Sequence, residues 1–137
     1  MSPIQETHKL LRDRGYYVAK TEYWHHFAKR RMDLCGFIDT LALNSITFDD
    51  LLAIQSTTGD HHAHRRTKIL ASEVTPLWLR HARLEIWSWS MTGPRGRRKR
   101  LTLRRERFIL DALGQVKSYE TEEPVASCNE SDLALQP

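Results

Sequence analysis

The spacing of apolar and polar residues along the chain predicts a β-sheet with helices packed on it. Residues 84–90 alternate strictly, with Leu84 and Ile86 on one face and Trp87 and Trp89 on the other, which is typical of a β-strand. Segments rich in aromatic and β-branched residues predict further strands at residues 16–24, 36–43, 51–57 and 101–108. Because only a short turn region separates residues 36–43 from 51–57, we expect these two strands to be antiparallel neighbours.

Three other segments have the spacing of helices. Residues 4–14 form an amphipathic pattern that Gly15 ends, since glycine commonly adopts the left-handed conformation that follows a helix. Residues 65–72 predict a second helix, and Pro76 suits the first turn of a third helix over residues 76–81. The resulting order α-β-β-β-α-α-β-β predicts the α/β class, with a mixed β-sheet flanked by helices.

Length and charge predict one folded domain followed by a tail. The chain has 137 residues, enough for a single hydrophobic core, and 40% of them are apolar. Residues 1–114 contain 20 basic and 12 acidic residues, whereas residues 115–137 contain one basic and five acidic residues. We therefore expect a domain over 1–114 and an acidic, disordered tail over 115–137. The basic domain favours a polyanionic partner such as nucleic acid, although surface charge also serves solubility alone.

The lack of a recognisable targeting signal and the positions of the two cysteines predict a cytoplasmic protein. No apolar run approaches the ~18 residues that crossing a bilayer requires, and the N-terminus lacks the apolar centre of a signal peptide. Cys35 lies in an apolar, strand-like run and Cys128 in the polar tail. We expect both to be free thiols in a reducing compartment.

A candidate site is carried by the two neighbouring strands at 36–43 and 51–57. Asp39 lies in an apolar strand, where a carboxylate is costly to bury unless it meets a cation, a metal or good hydrogen-bond donors. Gln55 lies where the next strand would bring it beside Asp39, and an amide oxygen binds a divalent ion without adding negative charge. Thr57 shares the face of Gln55, because side chains repeat every two residues. The alternative is a structural Asp39 satisfied by backbone donors or an arginine.

Three segments carry a resemblance to a known family: RDRGYYV at residues 12–18, GFIDTLAL at 36–43 and LLAIQST at 51–57. Together they resemble the PD-(D/E)xK nuclease superfamily, most of all the archaeal-type Holliday junction resolvases and related phage nucleases. The resemblance covers roughly residues 5–72, about half of the chain. It implies a restriction-endonuclease-like core, in which acidic residues bind Mg²⁺ and a lysine supports the attacking water.

The family motif is an Asp followed by a (D/E)-x-K trio, and it maps residue by residue onto this chain. Asp39 matches the family Asp, Gln55 stands in the place of the second acid, and Thr57 stands in the place of the lysine. Glu6, nine residues before Gly15, matches a glutamate that resolvases of this type contribute to the site. The resemblance therefore implies a catalytic set of Glu6, Asp39, Gln55 and Thr57, with Asp39 and Gln55 holding Mg²⁺ or Mn²⁺.

The two departures from the motif remove one negative and one positive charge. Replacing an acid by Gln55 should weaken the binding of Mg²⁺, and replacing the lysine by Thr57 removes a cation near the reacting phosphate. Neighbouring residues would have to compensate. We expect Asp33, as a further metal ligand, or Glu22 to restore the negative charge. The candidates for the missing cation are Lys20, Arg65 and Lys68.

Basic residues in two places predict contacts with a nucleic-acid backbone. The helix after the third strand begins with Arg65, Arg66 and Lys68, which would hold a phosphate or would simply face solvent. The densest basic run lies between two strands and reads as the tip of a hairpin: Arg97, Arg98, Lys99 and Arg100.

A polar loop between the third strand and the second helix contains several histidines. His61, His62 and His64 follow Asp60 there and invite comparison with a transition-metal site. No cysteine joins them, however, and the preceding glycine indicates a mobile loop. We therefore favour a solvated loop near the backbone of a nucleic acid.

These features together predict a Mg²⁺- or Mn²⁺-dependent endonuclease that acts on DNA, with no membrane partner. Cleavage of a Holliday junction would require a homodimer, because two strands must be cut symmetrically. One alternative is a catalytically inactive relative that binds nucleic acid. The other is an interaction subunit of a phage or defence complex, which would show no salt-sensitive DNA affinity.

Overall fold

The computed structural model describes residues 2–125, which form an α/β fold around a mixed six-stranded sheet. In chain order the elements are α1 (Pro3–Asp13), β1 (Tyr16–Lys20), β2 (Tyr23–His25), β3 (Arg30–Met32), β4 (Thr40–Asn44), β5 (Leu51–Thr58), α2 (His62–Ala71), α3 (Val74–Leu79), β6 (Arg83–Thr92), β7 (Arg100–Leu110) and β8 (Val116–Pro124). The predicted fold class, an α/β mixed sheet flanked by helices, is confirmed. Within residues 2–125, no helix has the length and apolar character that crossing a membrane requires.

The strands of the main sheet follow the order β1-β4-β5-β6-β7-β8, and β2 pairs with β3 in a separate hairpin. All neighbours in the main sheet are antiparallel except β5 and β6, which run parallel. A parallel pair needs a long crossover connection, and α2 and α3 supply it here. The expectation that the segments now seen as β4 and β5 are antiparallel neighbours is confirmed.

The hydrophobic core lies on both faces of the sheet. On one face, Leu11 of α1 packs with Leu52, Ile54, Trp87 and Trp89. On the other, Ile69 of α2 packs with residues of several elements: Phe37, Ile38, Ala53, Leu84, Ile86 and Phe108. The alternation along β6 is confirmed, because its odd-numbered tryptophans and even-numbered aliphatic residues fall in different clusters.

Two predicted strands are shorter than expected, because turns interrupt them. The segment 16–24 divides into β1 and β2, and β2 turns away from the main sheet to pair with β3. The segment 36–43 contributes only its second half to β4, because Cys35 and Gly36 adopt positive φ angles of 56° and 81°. Cys35 is therefore an exposed free thiol in a turn, and not part of a buried strand.

The prediction of a disordered tail from residue 115 is wrong for its first part. Val116–Pro124 forms β8, which pairs antiparallel with β7 over nine residue pairs. Its side chains are mostly exposed, so its sequence lacks the apolar alternation that identifies a strand. Residues 126–137, including Cys128, lie outside the described part of the chain.

A buried ionic network ties α2 to β6, β7 and β8. Helix α2 begins at His62, three residues earlier than expected, and His62 is fully buried. One ring nitrogen of His62 lies 2.5 Å from Ser88 Oγ, and the other lies 2.8 Å from Glu106 Oε1. The guanidinium of Arg66 donates to Glu106 at 2.7 Å and also contacts Glu120. These charges compensate one another, as buried charges must.

Replacing Glu106 by Gln should destabilise the protein by about 2 kcal/mol at neutral pH, because His62 and Arg66 lose a charged acceptor, although Arg66 keeps Glu120. Burial alone would raise the pKa of Glu106, but hydrogen bonds from His62 and Arg66 hold the pKa well below its ordinary value. The wild-type carboxylate therefore contributes stability that is present above about pH 4.5 and is lost as the pH falls further. Urea denaturation at pH 7 and at acidic pH measures the stability that the wild type loses on acidification. This contribution should be missing in E106Q, because glutamine does not ionise.

The matched control is Glu122→Gln on the neighbouring strand β8, where the side chain is exposed. E122Q should change the stability at neutral pH by less than about 0.5 kcal/mol. Equal stabilities of E106Q and E122Q would contradict the structural role of the network.

Candidate functional site

Asp39 lies directly before β4, at the point where the ladder between β4 and β5 ends. The last pair of that ladder is Thr40 with Ile54, and the Asp39 N–H donates to the Ile54 carbonyl at 3.1 Å. Beyond this pair, the Ser56 N–H donates to Asp39 Oδ2 at 2.7 Å, and the Thr40 hydroxyl donates to Oδ1 at 3.0 Å. Asp39 is only 4% exposed, so these donors hold a buried carboxylate beside the C-terminal end of β5.

Gln55 contacts Asp39 from the adjacent strand, as the strand spacing predicts. Its Nε2 donates to Asp39 Oδ2 at 3.0 Å and to the Ser56 carbonyl at 3.3 Å. The side chain is 3% exposed, and its Oε1 has no hydrogen-bond partner within the described residues. A buried amide oxygen without a donor is unusual and costs free energy. A ligand that supplies a donor or positive charge would satisfy this oxygen.

An open cleft of about 530 Å³ lies against these two side chains. The charged and polar residues that line it include Glu22, Asp33, Asp39, Gln55, Arg65 and Lys68. Asp33 and Glu22, which the sequence offers as replacements for the missing acid, thus both reach the same cleft as Asp39. Three carboxylates, one free amide oxygen and four cationic side chains converge there, since Arg30 and Arg31 also line the cleft.

Two acidic side chains of the cleft, Asp39 and Asp33, have raised pKa values. Burial raises the pKa of Asp39 to about 7, because the hydrogen bonds from Ser56 and Thr40 compensate only part of the desolvation, and Asp33 adds repulsion. Burial also raises the pKa of Asp33, and the Glu22 carboxylate adds to this shift, whereas Lys68 and Arg65 oppose it. The polar groups that reach Asp39 therefore do not compensate fully for its burial.

Glu6 and Thr57 do not reach the cleft, contrary to what the resemblance implies. Helix α1 directs Thr7 toward Ser56 and Trp89, and it leaves Glu6 half-exposed outside the lining of the cleft. Thr57 is buried within β5 and pairs in register with Ser88 of β6. The position at which the family has its lysine is thus closed to solvent here.

The cationic residues of α2 divide into two groups. Arg65 and Lys68 line the cleft, and Lys68 is exposed. Arg66 lies on another side of the helix, where hydrogen bonds and charge from Glu106 and Glu120 raise the pKa of its guanidinium. Arg66 is therefore engaged in the buried network, and its predicted contact with nucleic acid is not supported by this geometry. His61 and His64, at the start of the same helix, are exposed.

The other basic segment forms the tip of the hairpin between β6 and β7, as predicted. All residues from Gly93 to Lys99 are exposed. Because β5 and β6 run parallel, with Thr58 opposite Trp89, this tip projects from the same edge of the sheet as the end of β5. The basic tip, defined as residues 95–100, therefore lies on the side of the sheet that carries Asp39 and Gln55.

Some residues near Asp39 could not be identified from the sequence. Thr40 Oγ1 lies 2.8 Å from His8 Nε2, so a hydroxyl links α1 to the Asp39 carboxylate. Since Thr40 donates to Asp39, the His8 ring must donate to Thr40, and burial together with Arg12 lowers the pKa of His8. A histidine on the apolar face of α1 was the only signal for this contact.

Comparisons of the chain with protein-family models, with curated proteins and with solved structures found no match. The resemblance to PD-(D/E)xK nucleases thus remains a prediction that rests on the three sequence segments at 12–18, 36–43 and 51–57. The chemistry of the site has to be inferred from its own geometry.

Without bound metal, the stability of the protein should fall as the pH rises from about 4 to about 7, because of Asp39. The unfolded carboxyl ionises near its ordinary pKa of 3.8, whereas the folded one keeps its proton up to about pH 7. Asn cannot ionise, so Asp39→Asn should lose less stability than the wild type between pH 5 and pH 8. Urea denaturation in the presence of a chelator measures both curves.

Asp13→Asn serves as the control for this measurement, because Asp13 is exposed at the end of α1. Its pH dependence should follow that of the wild type. An Asp39→Asn variant with the same pH dependence as the wild type would show that the Asp39 carboxyl is not destabilised by burial.

Proposed function

We propose that the protein is a divalent-metal-dependent nuclease that hydrolyses phosphodiester bonds in DNA, with Asp39 at the centre of its active site. The observation that carries this proposal is the unpartnered Oε1 of Gln55 beside the buried carboxyl of Asp39, whose pKa burial raises, in a cleft that also contains Asp33 and Glu22. The exposed free thiol of Cys35 is consistent with a reducing cytoplasm, where DNA is accessible.

The donor set of the cleft fits Mg²⁺ or Mn²⁺. Both ions prefer oxygen ligands, and carboxylates together with an amide oxygen are the groups found here. Asp39, Asp33 and Gln55 would hold the ion, and Glu22 would add negative charge. When bound, such an ion supplies Lewis-acid charge and lowers the pKa of water for attack on phosphorus. No histidine or cysteine lines the cleft within residues 2–125, which argues against a zinc site.

The residues of the chain have separable tasks in this proposal. The backbone N–H of Ser56 and the hydroxyl of Thr40 fix the orientation of the Asp39 carboxylate. Arg65 and Lys68 line the same cleft, and they would bind the phosphate and stabilise the charge that develops on it. A cation from α2 would thus take over the task that the buried Thr57 is unable to perform.

The distribution of charge supports DNA as the substrate. The basic tip projects from the sheet edge that also carries the cleft, so one polyanion would contact both. Contacts of this kind go to phosphates and do not select a base sequence. If the substrate is a four-way junction, two copies of the chain would act together, since two strands must be cut.

Asp39→Ala should abolish both Mn²⁺ binding at the cleft and cleavage of DNA, because it removes the most buried acid of the site. Gln55→Glu should tighten Mn²⁺ binding about tenfold or more, since it restores the second acid of the family motif. Isothermal titration with MnCl₂ measures the affinity, and incubation with linear and branched DNA in Mg²⁺ or Mn²⁺ measures the activity.

The control for both variants is Asp13→Asn, which should bind Mn²⁺ and cleave DNA like the wild type. Cleavage by Asp39→Ala at the rate of the wild type would contradict the proposal. DNA binding without Mn²⁺ binding would instead favour an inactive binding relative, a second candidate that the buried Thr57 at the lysine position supports.

Replacing the four cations Arg97, Arg98, Lys99 and Arg100 of the basic tip by Gln should weaken duplex DNA binding and reduce its dependence on salt. Each lost phosphate contact lowers the slope of log K against log salt by about 0.9. Fluorescence anisotropy over a series of NaCl concentrations measures this slope. Replacing Arg80 and Lys117, which are exposed outside the tip, provides the control. An unchanged slope in the fourfold variant would exclude the tip from the interface.

A further inference from the structure

The hairpin of β2 and β3, residues 23–32, carries large aromatic side chains that are exposed to solvent. We name it the aromatic arm. Phe27 at its turn is 96% exposed, Trp24 is 53% exposed and Tyr23 is 51% exposed. Three exposed aromatic side chains within five residues exceed what a soluble surface usually shows, and such clusters mark interaction sites. The packing of the hydrophobic core does not account for them, since none belongs to either core cluster.

The arm also places cations beside its aromatic rings. Trp24 lies directly opposite Arg31, and His25 lies directly opposite Arg30, so each of these pairs shares one face of the hairpin. Lys20, Trp24 and Arg31 line one open hollow of about 370 Å³. Alternating rings and cations form the pattern with which proteins hold unpaired nucleobases and the adjoining phosphates.

The arm is continuous with the cleft. Arg30 and Arg31 line the cleft together with Asp33 and Asp39, and Glu22 lines both the cleft and the hollow beside Trp24. Arg31 donates to Glu22 at 3.2 Å, which connects the arm to the carboxylate cluster. The end of β1, from which the arm emerges, pairs with the start of β4 at Lys20 and Thr40. A strand of DNA in the cleft would therefore pass directly along the arm.

We infer that the aromatic arm stacks on unpaired nucleobases next to the phosphate held in the cleft, so that the substrate is DNA with a single-stranded segment at the cleavage site. This inference rests on the proposed function and adds the class of DNA structure to it. A closed duplex keeps its bases stacked on one another and offers no free face to Trp24 or Phe27. Single strands, flaps and branch points do offer such faces.

Binding of labelled oligothymidylate and of a closed duplex, both in the presence of a chelator, tests the inference. Trp24→Ala and Phe27→Ala should each weaken binding of the single strand by about fivefold or more, and they should leave duplex binding unchanged. Trp24→Phe should retain most of the affinity, because it keeps an aromatic ring. Oligothymidylate should also quench the fluorescence of the wild type, since Trp24 is its most exposed tryptophan, and Trp24→Phe should abolish this quenching.

Phe48→Ala is the matched control. Phe48 is 93% exposed, almost as much as Phe27, but it lies in the turn between β4 and β5, at the opposite edge of the sheet from Asp39. Its replacement should change neither affinity. Unchanged binding of the single strand by Trp24→Ala and Phe27→Ala would overturn the inference, and so would equal losses for single strand and duplex.

The absence of metal separates this test from that of the proposed function. If the wild type never cleaves DNA but Trp24→Ala weakens binding of the single strand, the result supports the stacking surface and contradicts the nuclease. If the wild type cleaves a closed duplex and a branched DNA equally well, the result supports the nuclease and contradicts the stacking surface.

Discussion

The end of the hydrogen-bond ladder between β4 and β5 is the constraint on which the candidate site depends. Beyond the pair of Thr40 and Ile54, the Ser56 N–H donates to the side-chain carboxylate of Asp39 and not to a backbone carbonyl. This fixes Asp39 at a buried position but brings no compensating cation. The other buried acids, Glu85 and Glu106, each have arginine partners within hydrogen-bond distance. The fold pairs its other buried carboxylates with arginines but not this one, which is the reason for placing Asp39 at the centre of the proposed active site.

Much of the fold could be predicted from the sequence, and the errors have local physical causes. The pattern along β6 was clear because each of its faces packs on a different cluster of the core. The strand β8 has mostly exposed side chains, and its pairing with β7 is determined by backbone hydrogen bonds, which leave no apolar pattern. The turn at Cys35 and Gly36, where both residues have positive φ angles, was likewise missed. It lies within an apolar run, and such a run predicts a continuous strand.

For the candidate site, the sequence predicted the contact between Asp39 and Gln55, because it follows from two adjacent strands of known period. It could not rank Glu6, Glu22 and Asp33 as the further acid, since that depends on the direction in which α1 and the aromatic arm meet the cleft. The turn of α1 that buries Thr7 directs Glu6 away, whereas the segment after β3 brings Asp33 to the cleft. Selecting among equivalent charges requires tertiary geometry.

The crossover formed by α2 and α3 does more than cover one face of the sheet. It makes β6 parallel to β5, so that the hairpin to β7 projects from the edge that holds Asp39; an antiparallel β6 would send the basic tip to the edge of Phe48. It also carries Arg65 and Lys68 into the cleft. The aromatic arm follows β1, the cleft lies at β4 and β5, and the basic tip joins β6 to β7. The three features therefore lie side by side at the same end of the strands. The contacts proposed there, by stacking and by phosphate binding, do not read bases, so the proposal implies selectivity for the shape of the DNA and not for its sequence.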